Sequence, residues 1–309
     1  MKLPISDSFK VSIIGAGRVG ATAAFTMMLD GTPTEIVLYG RDRKKMLGEK
    51  LDLEHALPFL DYVNIVATDS FDQVANSHLI VYTAGAAQNP GETRLDLCKK
   101  NLEILEKTLP EINQVAPDAL ILIIANPVDV LTYHAHRIIP NANRRVFGSG
   151  TMLDTARFRF HLAEKIHVDP QSIHAYVLGE HGDSSFPVYA FGTVGGQRIT
   201  EFPGMDKQSI FNAYNKARNA AYNIINAKGS TYYAIGVVAK RIMQTIFSDA
   251  KTVLPLSVPL HNYHGHSGVA LSVPCILGAN GIEKILNIDL SLEEQRGLAH
   301  SVEVLKQFC

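Results

Sequence analysis

Residues 10–29 read KVSIIGAGRVGATAAFTMML, and the three glycines in this stretch decide the fold. Lys10–Ile14 is a short apolar run rich in β-branched residues, the pattern of a buried strand. It runs directly into Gly15-Ala16-Gly17-Arg18-Val19-Gly20, and from Ala21 to about Leu29 the pattern is helical. GxGxxG alone is a weak signal, since an ordinary glycine turn gives the same letters. Between a strand and a helix it reads as a dinucleotide-binding turn. Gly15 permits the tight turn, Gly17 lets a pyrophosphate approach the backbone, and Gly20 lets helix and strand pack closely. The helix N-terminus then faces the phosphates.

Glu35–Tyr39 is the second expected strand. Dinucleotide folds usually end it with an acid that bonds the ribose hydroxyls. Here Gly40 occupies that place, with Arg41 behind it. Two readings stay open: Arg41 is a solvated residue ahead of a helix capped by Asp42, or the pair weakens a preference for NAD over NADP.

Strand-like runs continue at 63–67, 78–83, 119–125 and 145–148, with helical patterns at 44–56, 95–115 and Val128–Ile138. Alternation of this kind predicts an α/β fold built on a doubly wound parallel (Rossmann) sheet with right-handed crossovers. Ligands then sit at the carboxyl ends of the strands. From Ser149 the order changes to α+β, which places a domain boundary at 148: a dinucleotide-binding unit over 1–148 and an α+β substrate unit over 149–309. In the second unit a long helical stretch covers about 208–247, interrupted near Lys228-Gly229, and a final helix covers 292–307.

The second unit opens with GTMLDTARFRFHLAE, residues 150–164. Leu153, Ala156, Phe160 and Ala163 recur at helical spacing and are the expected buried stripe. Asp154 and Arg157, three apart, share a face, while Arg159 points elsewhere. His181 lies in Gly179-Glu180-His181-Gly182-Asp183, just past an apolar strand. A lone histidine is usually structural. A histidine oriented by a buried carboxylate is an acid/base candidate, and Asp154 is the candidate partner. Residues 83–94, TAGAAQNPGETR, predict a loop with Gly91 as its hinge. Asn126-Pro127 ends an apolar strand, where the Asn side chain needs a partner.

With 309 residues, a net charge of −1 and three cysteines lacking CxxC spacing, the chain offers no basic field for nucleic acid. No apolar run approaches bilayer length and the first residues lack an apolar targeting core, so a cytoplasmic protein without membrane contact is expected. His261, His264 and His266 sit in a turn-like segment without nearby Cys or acid, and no metal is expected. Cys98 is read as structural.

GAGRVG, TAGAAQNPGETRLDL, ANPVD, GSGTMLDTARFR, GEHGDS and KGSTYYAIG together resemble the L-lactate/L-malate dehydrogenase family over essentially the whole chain, most closely its bacterial L-lactate branch. The resemblance implies NAD-dependent hydride transfer between nicotinamide and a 2-hydroxy or 2-oxo acid. It makes His181 the general acid/base, oriented by Asp154. It makes Arg157 the clamp on the substrate carboxylate and Arg94 the group that polarises the carbonyl as the loop closes. Asn126 would hold the substrate oxygen and the nicotinamide, and Thr231 would line the substrate pocket. Val19, Gly85, Ala86 and Ser149 match cofactor-contacting positions, whereas Gly40 departs from the family's usual Asp. Gln88 stands where malate-specific members carry Arg. It would leave a second substrate carboxylate unpaired, which selects pyruvate/L-lactate over the alternatives, L-malate or a broader range of L-2-hydroxyacids. Arg159 and His174 resemble a fructose 1,6-bisphosphate site between subunits, implying a bisphosphate-activated homotetramer. A non-catalytic nucleotide sensor would share the glycine turn but would not need Asp154, Arg157, His181 and Arg94 together.

Overall fold

The computed structural model describes residues 8–86 and 94–309, except the side chains of 94 and 95. The first half alternates β1 (Lys10–Ile14), α1 (Arg18–Asp30), β2 (Glu35–Tyr39), α2 (Arg43–Glu54), β3 (Asn64–Thr68), β4 (Leu79–Tyr82), α3 (Arg94–Val115), β5 (Leu120–Ile123), α4 (Val128–Ile138) and β6 (Val146–Gly148). β4, β5 and β6 are buried at every residue, because helices cover both faces of a parallel sheet. Their sequences are accordingly continuous apolar runs rather than alternating ones.

The second half runs α5 (Met152–Ile166), β7 (Ile173–Leu178), β8 (Phe186–Val194), β9 (Gln197–Arg198), α6 (Lys207–Lys228), α7 (Tyr233–Phe247), β10 (Thr252–Pro259), β11 (Ala270–Gly278), β12 (Gly281–Ile285) and α8 (Leu292–Lys306). The expected break near Lys228-Gly229 is real: Gly229 ends α6 in the left-handed conformation.

Strand order in the large sheet is β12-β11-β10-β6-β5-β4-β1-β2-β3. The parallel part, 3-2-1-4-5-6, is the dinucleotide-binding order, with its switch point between β1 and β4. The sheet does not stop at residue 148. β10 joins β6 antiparallel through Ser257 and Gly148, and β11 and β12 extend it. The sequence reads as strand-like over 252–258 and 269–277, but nothing in that apolar pattern gives the pairing partner. β7, β8 and β9 form a separate antiparallel sheet.

The stripe expected on α5 needs correction. Leu153 and Ala163 are buried, but Ala156 is exposed and Phe160 is 52% exposed. The buried face carries Leu153, Thr155, Phe158, Leu162 and Ala163. The two threonines at the start of the helix belong to the packed side because they bond to β7. Thr151 and Thr155 Oγ1 both donate to the Val177 carbonyl, at 2.5 and 3.1 Å, and Thr155 Oγ1 accepts from Val177 N–H at 2.9 Å. A hydropathy pattern ranks threonine as polar and so misplaces the stripe. Among the described residues, no helix is long and apolar enough to cross a membrane.

Candidate active site

The glycine turn has the form its spacing implies. Gly15 adopts φ +95°, and a Cβ there would lie 2.7 Å from the Ala84 backbone, so the loops after β1 and β4 meet at the switch point. A Cβ on Gly20 would strike Thr83 Oγ1 at 2.7 Å and Ile13 Cγ2 at 2.9 Å. Gly17, by contrast, has nothing within 4 Å of its Cβ position. It is also the N-cap of α1, with no side chain satisfying the first-turn N–H groups. An open glycine over unsatisfied helix donors fits a pyrophosphate. Val19 follows, half-buried, in the first turn of α1.

Around this turn the remaining cofactor candidates occupy strand ends. Gly85 and Ala86 follow β4, where Ala86 N–H donates to Asn101 Oδ1 at 2.7 Å. Asn101 Nδ2 in turn donates to the Asn126 carbonyl at 2.7 Å, so this buried residue of α3 ties two strand-end loops together. Asn101 was missed in the sequence, where it reads as one polar residue in a helix. Asn126 itself is exposed, and its side chain does not need the internal partner that an apolar strand end suggested. Ser149 is buried after β6, its N–H bonded to the Ile123 carbonyl at 2.8 Å.

At the end of β2 the space beneath Gly40 is filled: a Cβ there would lie 2.6 Å from Met46 Sδ. Arg41 is exposed, and Asp42 caps α2 by accepting from Lys45 N–H at 3.1 Å. The capping half of the bland reading therefore holds. Arg41, Arg43, Lys44 and Lys45 are all exposed around that cap.

The candidate acid/base cluster sits where α5 meets the loop after β7. His181 Nδ1–H donates to Asp154 Oδ2 at 2.6 Å, while Arg157 Nη1 donates to Asp154 Oδ1 at 3.2 Å. Asp154 and Arg157 side chains are 14% and 12% exposed, and His181 keeps 28%. Burial opposes the charge on Asp154, but the imidazole and guanidinium outweigh it and hold the carboxyl below its usual range. Burial also opposes the imidazolium of His181, yet Asp154, with help from Asp129, lifts it to about 9. Arg157 Nη2 is buried and has no hydrogen-bond partner among the described residues. An orphaned guanidinium N–H is costly unless something arrives to accept from it.

The loop bearing His181 is anchored on three sides. Gly179 pairs with Ser272 of β11, its φ is +90°, and a side chain there would collide with Ser301 of α8. Glu180 accepts from Ser184. Asp129, on α4, accepts from the His181 backbone N–H at 2.6 Å. Asp129 lay inside the ANPVD motif without an assigned role. Thr231 is half-buried on the connector between α6 and α7. Arg94 opens α3, with its side chain undescribed, and Gln88 and Gly91 lie outside the described residues.

Arg159 takes the other side of α5, as its spacing implies. Its Nε donates to the Ala175 carbonyl at 2.8 Å, and its guanidinium lies 5.1 Å from the Tyr176 ring centroid. His174, adjacent on β7, is exposed. His134 and His136, two apart on α4, diverge and bond the Phe308 and Val146 carbonyls respectively. His264 bonds the Ile288 carbonyl.

Known proteins similar to this chain are numerous. Residues 9–148 match the family model described as lactate/malate dehydrogenase, NAD binding domain, and residues 151–308 match its alpha/beta C-terminal domain. An L-lactate dehydrogenase of Clostridium botulinum (strain Loch Maree) is 41% identical, covering 97% of this chain and 96% of its own. One from Thermoanaerobacterium saccharolyticum is 42% identical, with 96% of each chain covered. Among solved structures, the minor L-lactate dehydrogenase of Enterococcus mundtii superposes with a TM-score of 0.93 at 36% identity, covering 97% of each chain. The open glycine turn, the buried Asp–His–Arg cluster and these matches to both halves agree, and the chain belongs to the lactate/malate dehydrogenase family.

Proposed function

We propose that this protein is an L-lactate dehydrogenase interconverting pyruvate and L-lactate with NAD(H). The observation that carries the reading is the buried, unpartnered Arg157 Nη2 beside the His181–Asp154 pair. A small 2-oxo acid presents a carboxylate to the first and a carbonyl oxygen to the second. Bound NADH supplies the hydride to the carbonyl carbon. Arg157 holds the substrate carboxylate and so fixes which face of the carbonyl is presented. Protonated His181 gives its Nε2 proton to the carbonyl oxygen, and Asp154 holds Nδ1 protonated throughout. Arg94 enters with its loop to polarise the carbonyl, Asn126 holds its oxygen, and Thr231 bounds the pocket. Gln88 sets the preference for pyruvate over oxaloacetate. The names of the relatives, all L-lactate dehydrogenases, support the same choice.

NADPH is also accepted, because Gly40 stands where an acid usually ends β2 and basic residues surround that end. The chain works as two units, 1–148 and 149–309, in a cytoplasmic homotetramer. Exposed Phe25 and Leu29 on α1, Leu47 and Leu51 on α2, and Phe160 on α5 support association. Fructose 1,6-bisphosphate activates it through Arg159 and His174. The primary test follows nicotinamide absorbance with NADH or NADPH against pyruvate or oxaloacetate, in wild type and His181→Asn. His181→Asn should bind NADH normally and lose turnover; near-normal turnover would sink the mechanism.

A further inference from the structure

Asp129 is 2% exposed, and each of its carboxylate oxygens accepts one hydrogen bond. Oδ2 takes the His181 backbone N–H at 2.6 Å, and Oδ1 takes the Ser257 hydroxyl at 2.6 Å. Ser257 is fully buried at the one residue pair that joins β10 to β6. The carboxylate thus stands on α4 of the first half and reaches both the seam of the sheet and the catalytic loop of the second half. A buried carboxylate is expensive, and a neutral side chain could fill the same space. Two bonds this short, to one main-chain and one side-chain donor, are what such a cost secures.

We propose that Asp129 is a positioning residue for the acid/base step: it fixes the main chain of His181 while Asp154 fixes its ring, and it adds a second negative charge behind the imidazolium. His181 is then held at both ends, so its Nε2 has little freedom to leave the line of proton transfer. The charged groups around this arrangement are Asp154, Arg157 and Asp129 acting on His181, and Glu180 acting on Asp129. Burial lifts the Asp129 carboxyl to about 6, and the bonds from Ser257 and the His181 N–H oppose this. Near neutral pH Asp129 is therefore largely charged.

The inference rests on His181 being the acid, and its test separates the two claims. Asp129→Asn preserves shape: the amide oxygen can still accept from His181 N–H, and the amide NH2 can donate to the Ser257 hydroxyl. Only the charge is lost. The alkaline limb of kcat/KM for pyruvate should move about one pH unit lower, while NADH affinity by fluorescence titration stays within about twofold. Ser257→Ala frees the carboxylate, which still carries its charge at the alkaline limb, so kcat should fall several-fold, on the order of tenfold at most, with the limb unmoved. A folded Asp129→Asn protein with wild-type turnover and an unmoved limb overturns the proposal, provided His181→Asn is inactive. Should Asp129→Asn fail to fold, Ser257→Ala decides: lowered kcat at unchanged NADH affinity supports positioning, and wild-type kcat overturns it.

Discussion

Replacing Asp154 by Asn tests the pair at its centre. In the wild type Asp154 lifts His181 to about 9, so at about pH 7.5 nearly every ring is protonated. Without the carboxylate the ring returns toward about 6.5, since burial and Arg157 both lower it and only the Asp129 charge still opposes them, and roughly a tenth remains protonated at that pH. A second loss comes from hydrogen bonding. Arg157 Nη1, 3.2 Å from Asp154 Oδ1, would claim the amide oxygen and turn the NH2 toward His181 Nδ1. That arrangement favours a neutral ring with Nδ1 bare, a poor acid. The two effects together should lower kcat/KM for pyruvate by about 10²–10³-fold near neutral pH, within the range that general acid catalysis supplies. Pre-steady-state mixing with NADH and pyruvate across pH 5–10 reads this directly. The alkaline break should move from about 9 toward about 6.5. A break still near 9 in the variant would refute the assignment of Asp154 as the source of the imidazolium's stability.

Gln88→Arg should raise kcat/KM for oxaloacetate relative to pyruvate by at least about tenfold, by supplying a cation for the second carboxylate; an unchanged ratio places Gln88 away from the substrate. Gly40→Asp should depress NADPH use more than NADH use, through repulsion of the 2′-phosphate. The atom in the Cβ space is the thioether of the flexible Met46 side chain, so the variant should accommodate the Asp by shifting Met46. The His181–Asp154 pair should also mark the pH dependence of stability. With the folded pKa raised, its contribution is full below about 6.5 and is lost as pH rises through about 9. The Tm difference between wild type and His181→Asn should shrink across that window. Arg159→Gln should abolish activation by fructose 1,6-bisphosphate in pyruvate saturation curves while leaving basal turnover intact. No activation of the wild type between mildly acidic and neutral pH would remove the regulatory claim and leave the catalytic one standing.

The first half of the fold was legible because its strands are buried on both faces and its turns carry glycines that no other residue replaces. β1, β2 and α4 fall within the expected bounds, and the open Cβ space at Gly17 follows from the motif itself. The Asp154–Arg157 pair was legible for a similar reason, since helix geometry fixes an i,i+3 contact from spacing alone. What spacing could not supply was anything carried by tertiary pairing. β10–β12 read as strands, or in the case of β12 as nothing distinct, and only the Ser257–Gly148 pair assigns them to the main sheet. Asn101, Asp129 and Ser257 act through partners 15 to 128 residues away, so no local pattern marks them. The misread stripe on α5 has the same origin: Thr155 is buried because Val177 satisfies its hydroxyl, a fact about a strand 22 residues further on.

These distant partners explain why the active site stands at the seam of the sheet rather than within either half. Gly148 ends β6 with no room for a side chain: a Cβ would meet Thr132 Oγ1 at 2.6 Å, Val128 Cγ2 at 2.8 Å and Ser257 Cβ at 2.9 Å. The backbones of β6 and β10 and the first turns of α4 are therefore pressed together at one point. From that point Asp129 reaches His181, and four residues past Gly148 the chain enters α5 with Asp154 and Arg157. α5 is in turn riveted to β7 by Thr151 and Thr155, and β7 delivers His181. The His181–Asp154 pair is thus closed through two routes from the same glycine, one along the chain and one across it. Proton transfer tolerates displacement of only a fraction of an ångström before it slows steeply. A site assembled from opposite ends of a sequence meets that tolerance only if both routes start from a rigid junction, and the crowding around Gly148 supplies one.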